Sequence, residues 1–288
     1  MKHTHAPASS HRKLCALISL VRPWNVLISF GGIAAGGFIA ASGAPPWNTV
    51  LLASTSGAFL AAAGNIINDV HDADIDRINK PERVIAAGIV STRSGRMWAA
   101  VCASTGILIS ASLAMPLFFI ALASAGLLYL YSARMKAMPL FGNTAVGLLT
   151  GLALIYGAWA VGNPWAAIVP ALFAFGVNVG REIIKDVEDV RGDRIAGLRT
   201  FPLLVGTRPA LLLATVLLFI VVVASVLPPI TQRYSAMYIP IVAVADIIII
   251  AAVYQCWRDV SISSLRAAST LLKYSMPAGI ASFVVGSL

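Results

Sequence analysis

From Pro23 to Ile67 the chain runs 45 residues without a formal charge, and the run is broken once, at Gly43-Ala-Pro-Pro-Trp-Asn48. About 20 apolar residues cross a bilayer as a helix, so this stretch predicts two spans joined by a tight turn. The uncharged runs Met97 to Ala133, broken at Met115-Pro116, and Ala137 to Gly180, broken at Gly162-Asn-Pro-Trp165, predict four more. Further spans over about 209–227, 234–257 and 267–288 bring the expectation to nine. Backbone polar groups in hydrocarbon must be satisfied internally, which leaves helices or a closed barrel, and runs of this length select helices. The expected fold is therefore an all-α integral membrane protein, one transmembrane domain over residues 1–288. Composition agrees: 58% of the 288 residues are hydrophobic and only 11% are charged, against about 25% charged in soluble domains.

The basic residues orient the bundle. Loops must alternate between the two sides of the membrane, and the nine-span scheme places 20 of the 21 Lys and Arg on one side, with Arg233 alone on the other. By the positive-inside rule the N-terminus is cytoplasmic and the C-terminus lies opposite. Residues 1–20 are basic but lack a small-residue cleavage site, so they are expected to be a cytoplasmic tail and not a signal peptide. The net charge of +9 does not indicate nucleic acid, because its basic residues sit between apolar runs and not on a polar surface. Cys15, Cys102 and Cys256 have neither the spacing of a metal knuckle nor that of a redox pair. Nothing in the sequence calls for an obligate protein partner.

Ten of the 12 acids fall in two clusters, Asp69-Asp72-Asp74-Asp76-Glu82 and Glu182-Asp186-Glu188-Asp189-Asp193, at the cytoplasmic ends of the second and sixth spans. Asn68, Asp72 and Asp76 are spaced i, i+4, i+8 and share one face of a helix over about 80°. Asp186, Asp189 and Asp193 share a face over about 60°. Like charges at such spacing destabilise a helix, so building the arrangement twice points to a bound cation. Hard oxygen donors suit Mg²⁺, which is commonly held by one or two carboxylates plus substrate phosphates. The bland alternative for either cluster alone is a solvated loop. Arg77, Lys80, Arg83, Arg134, Lys136 and Lys185, on the same side, could meet phosphate oxygens or serve as interfacial anchors.

Asn68-Asp-Val-His-Asp-Ala-Asp-Ile-Asp76, followed by Arg77-Ile-Asn-Lys-Pro-Glu-Arg83, resembles the NDxxDxxxD signature of the UbiA-type intramembrane prenyltransferases. Arg181-Glu-Ile-Ile-Lys-Asp-Val-Glu-Asp-Val-Arg-Gly-Asp193 is similar to that superfamily's second aspartate motif. The resemblance implies that Asn68, Asp72, Asp76, Asp189 and Asp193 hold two Mg²⁺ against the diphosphate of an isoprenoid donor, with Asp186 an additional carboxylate. It places Tyr131, Ser132 and Lys136 beside that diphosphate and makes Asp72 and Asp189 central to catalysis. Within the superfamily the two strings look most like the archaeal-type branch acting on geranylgeranylglycerol phosphate in ether-lipid synthesis. Val84 departs from the Pro that many relatives carry there.

Neutralising a diphosphate lets an allylic donor ionise, and the allylic cation needs a dry, aromatic-lined cavity. Trp24, Tyr129, Tyr156, Trp159 and Phe173 are candidates, with helix packing as their alternative role. An acceptor phosphate would need further cations, and Arg22, Arg181 and Lys185 are the candidates. The competing account has Arg22 as a snorkelling anchor, and Arg181 and Lys185 in a charge ladder with Asp189 and Asp193. Glycines 31, 32, 36, 37, 147 and 151 are assigned to helix packing. Asp246, in the middle of the eighth span, is expected to have a structural role and a buried partner. Other acceptors stay open: an aromatic ring of quinone synthesis or a chlorophyllide. The CDP-alcohol phosphatidyltransferases also place aspartates four apart at a membrane face, but their D-G-x-x-A-R lead-in is missing. A non-enzyme reading, an ion or phosphate transporter, would require ionisable groups at depth in several helices.

Overall fold

The computed structural model describes residues 16, 18–41, 43–230 and 234–288. All regular structure among them is helical: α1 Pro23–Ala40, α2 Trp47–His71, α3 Ala73–Asn79, α4 Thr92–Leu113, α5 Met115–Ala133, α6 Phe141–Ala160, α7 Ile168–Ile195, α8 Phe201–Val205, α9 Thr207–Ala224, α10 Leu227–Ile230, α11 Tyr238–Arg258 and α12 Ile262–Gly286. Among the described residues, eight spans are long and apolar enough to cross a membrane: α1, α2, α4, α5, α6, α7 with its leading turn, α9 through α10, and α11. The expected ninth, α12, has 25 residues but includes Arg266, Lys273 and several serines, and is not among those eight. The breaks fall where Pro and Gly act: Pro116 opens α5, and Gly43 and Gly162 take positive φ in the turns after α1 and α6.

The helices close on themselves. α1 packs on α2, α6 and α12; α2 on α4 and α5; α7 on α6, α9 and α12; and α11 lies along α12. Hydrocarbon gives helices no hydrophobic reason to associate, so close backbone approach and hydrogen bonding carry the packing. A Cβ on Gly36 would lie 2.0 Å from the Leu154 carbonyl oxygen, and one on Gly157 would lie 1.8 Å from that of Ile33. Gly151 similarly faces the Ala171 carbonyl, whereas Gly31 and Gly32 meet nothing within 4 Å and are not packing glycines.

The expected tail is partly built into the bundle. Residues 18–21 are helical, and Ala16 and Leu20 are buried against Ile66, Val70 and Ile85. Cys15, the rest of the tail and Arg233 lie outside the described residues. Asn65 donates to the Val21 carbonyl at 2.9 Å, and Arg22 then turns the chain through a left-handed φ of 54° into α1.

Candidate active site

The first acidic cluster straddles a joint. The spacing predicts one helix through Asn68, Asp72 and Asp76, but α2 ends at His71 and α3 begins at Ala73. Asp72 keeps helical dihedrals at the joint, and its N–H bonds the Asn68 carbonyl, so the three residues stay nearly in register. Asp69, Asp72 and Asp76 are each 5% exposed. A buried carboxylate needs compensation, and each has it. Lys136 reaches Asp72 at 2.6 Å, and the Asn68 amide donates to the same oxygen at 2.9 Å. Arg83 holds Asp76 at 2.6 Å and Asp69 at 3.4 Å, and Arg22 pairs with Asp69.

The second cluster lies on one continuous helix, as its spacing predicts. α7 carries Glu182, Asp186, Asp189 and Asp193, of which Glu182 is buried and Asp189 exposed. Asn143 of α6 donates to Asp186 at 2.8 Å. Arg181 and Lys185 do not form the ladder with Asp189 and Asp193 that the competing account requires. Both turn to Glu182, at 2.7 Å and 2.9 Å, because Glu182 is adjacent to one and three residues before the other.

The two clusters face each other. Tyr131 lies within electrostatic reach of Asp72 on one side and of Glu182 and Asp186 on the other. Lys80 similarly lies between Asp76 and Asp189, where partial desolvation and the neighbouring Arg83 guanidinium lower its ammonium pKa. Two residues bond elsewhere. Arg77 pairs with exposed Asp74 at 2.5 Å on the outer surface, and the Ser132 hydroxyl donates to the Leu128 carbonyl of its own helix. Of the proposed cavity liners, Tyr156 is buried and bonds Ser56, while Trp24 and Tyr129 are 61% and 54% exposed and line no interior space. A cavity of about 730 Å³ between Trp165, Leu172, Phe173, Ile220 and Tyr234 lies toward the other end of α7 from the acids.

No three His, Cys, Asp or Glu side chains among the described residues form a ready-made cation cage. The donor set nevertheless suits a hard divalent cation bound together with an anionic ligand, which needs only one or two carboxylates from each side. Asp72 and Asp76 lie on one side, and Asp186, Asp189 and Asp193 on the other. Asp69, Glu182 and Asn143 were not singled out from sequence. For the first two the signal was present: Asp69 lies seven residues before Asp76 and Glu182 seven before Asp189, in each case about 20° apart on the helix.

A helical membrane bundle with two facing carboxylate clusters, ringed by cations at one end, defines a class of intramembrane enzyme acting on phosphorylated substrates. Residues 29–276 match the UbiA prenyltransferase family, and the chain belongs to that family. It is 34% identical over 273 residues to the digeranylgeranylglyceryl phosphate synthase of Thermococcus kodakarensis, covering 95% of this chain and 98% of that one. A solved structure concerning digeranylgeranylglyceryl phosphate synthase in membranes superposes with a TM-score of 0.79 at 30% identity, covering 96% of this chain and 99% of that one. A UbiA homologue from Archaeoglobus fulgidus, bound to GPP and Mg²⁺, shares the fold with a TM-score of 0.65 at 21% identity, covering 93% and 99%.

Proposed function

We propose that this prenyltransferase transfers a geranylgeranyl group from its diphosphate to the hydroxyl of a prenylglycerol phosphate, with Mg²⁺, in membrane ether-lipid synthesis. The observation that carries the reading is the facing of Asp72 and Asp76 against the acids of α7 across Tyr131 and Lys80. The near full-length similarity to digeranylgeranylglyceryl phosphate synthases supports the choice of acceptor. The site lies on the cytoplasmic face of a single-domain bundle of nine transmembrane helices in the cell membrane, with α12 as the ninth span. The division of basic residues supports that orientation.

Asn68, Asp72 and Asp76 from α2 and α3, with Asp186, Asp189 and Asp193 from α7, hold the metal. Bound there, Mg²⁺ supplies Lewis-acid stabilisation of the leaving diphosphate. Lys80, Arg83, Tyr131 and Lys136 meet diphosphate oxygens that the metal leaves free. Lys136 and Arg83 already neutralise Asp72 and Asp76, and on substrate binding they can exchange a carboxylate partner for phosphate oxygens. The donor's C–O bond breaks as negative charge develops on the diphosphate, and the acceptor hydroxyl oxygen bonds the allylic carbon and gives up its proton to the departing diphosphate. Arg181 and Lys185 take the acceptor phosphate, with Arg22 at the rim.

An acceptor panel tests the assignment. Purified protein with geranylgeranyl diphosphate and Mg²⁺ should prenylate geranylgeranylglycerol phosphate in preference to 4-hydroxybenzoate or homogentisate. Efficient prenylation of either ring, with no product from the glycerol phosphate, would move the chain to the quinone branch.

A further inference from the structure

Glu182 occupies an unexpected place for an acid beside a phosphate site. It is buried at 7% exposure, in the facing surface between the clusters, within electrostatic reach of Lys136 and Tyr131. It accepts three charged hydrogen bonds: from the Arg181 guanidinium at 2.7 Å and from the Lys185 ammonium at 2.9 and 3.1 Å. Arg181 is fixed a second time, its Nε donating to the Ser269 carbonyl of α12 at 3.1 Å. A negative charge weakens the attraction of neighbouring cations for phosphate, so its presence needs a different account.

The alternatives open to Lys185 supply one. On α7 its ammonium can turn back to Glu182, three residues earlier, or forward to Asp189, four residues later. The forward choice would join Lys185 to a carboxylate assigned to metal, whereas in this structure Asp189 forms no salt bridge among the described residues. Glu182 takes both of its neighbours and thereby gathers the two cations on one carboxylate and offsets their mutual repulsion. We infer that Glu182 is a positioning residue, holding Arg181 and Lys185 as a two-cation clamp for the acceptor's phosphate and keeping Lys185 off Asp189. The inference rests on the functional reading above and deepens it.

The test compares kcat/KM for geranylgeranylglycerol phosphate and for phosphate-free geranylgeranylglycerol, at saturating donor and Mg²⁺, in wild type and Glu182→Gln. Hydrogen bonds between charged groups are each worth tenfold or more in affinity. The variant's preference for the phosphate-bearing acceptor should therefore fall about tenfold, and its half-saturating Mg²⁺ concentration should rise as Lys185 swings toward Asp189. Glu182→Asp, which keeps the charge, should recover part of the preference. An unchanged preference in Glu182→Gln, whether both acceptors hold or fall together, overturns the inference, as does Glu182→Asp faring no better. If Glu182→Gln does not accumulate as folded protein, Arg181→Lys, which loses the Nε bond to Ser269, must show the same loss of preference or the inference falls. A wild-type enzyme that ignores the glycerol phosphate overturns the functional reading together with the clamp. Normal wild-type preference with an insensitive Glu182 overturns the clamp alone.

Discussion

Arg83 bridges two buried carboxylates that have few other partners. Among the described residues, Arg83→Ala leaves Asp76 without a direct ion-pair partner and Asp69 paired with Arg22 alone. Breaking a buried ion pair costs about 3–5 kcal/mol, and Arg83 is partly exposed, so a loss of about 3 kcal/mol is expected. Thermal unfolding in detergent should show a Tm several degrees below wild type, with Arg83→Lys between the two. This pairing was only half legible in the sequence. Helical arithmetic puts Asp69 beside Asp76, but no periodicity reveals that Arg22 and Lys136 reach the motif from 47 and 64 residues away. The partners of charged side chains are set by how the spans pack, and that information is non-local.

At the scale of the element, α1 and α6 approach backbone to backbone at Gly36 and Gly157. Gly157→Val would drive a branched side chain into the Ile33 carbonyl, and overpacking of this kind costs about 1–3 kcal/mol. The expected outcome is a lower Tm and lower yield, while Gly31→Ala, facing open space, should match wild type. The spans themselves were readable because uncharged runs and Pro-Gly breaks act locally. The joint at Asp72 was not, because the chain there keeps helical dihedrals and lacks Gly or Pro. Nor was the left-handed Leu140, at φ 64°, which starts α6 beside Asn143, because leucine carries no such preference.

For the whole molecule, the orientation rests on the 20-to-1 division of basic residues. In a background without native cysteines, Asn163→Cys should react with an impermeant thiol reagent added outside intact cells, and Ser91→Cys should not. Both positions are exposed, so accessibility does not bias the comparison. Labelling of Ser91→Cys from outside would invert the topology and place the acids on the far side. The facing of α2 and α3 with α7 follows from bundle closure, and the sequence announced it only through two similar acidic strings. The proposed catalysis requires those two halves to act as one metal-diphosphate site. The most direct test is turnover of geranylgeranyl diphosphate by wild type, Asp72→Ala and Asp189→Ala, with Mg²⁺ present and after chelation. Chelation should abolish turnover, and each substitution, removing a ligand from a different half, should lower kcat/KM at least about a hundredfold, while Asp246→Asn, bonded to Ser225 away from the site, loses only a few-fold. Near-normal turnover in either motif variant at saturating donor would contradict the two-cluster site.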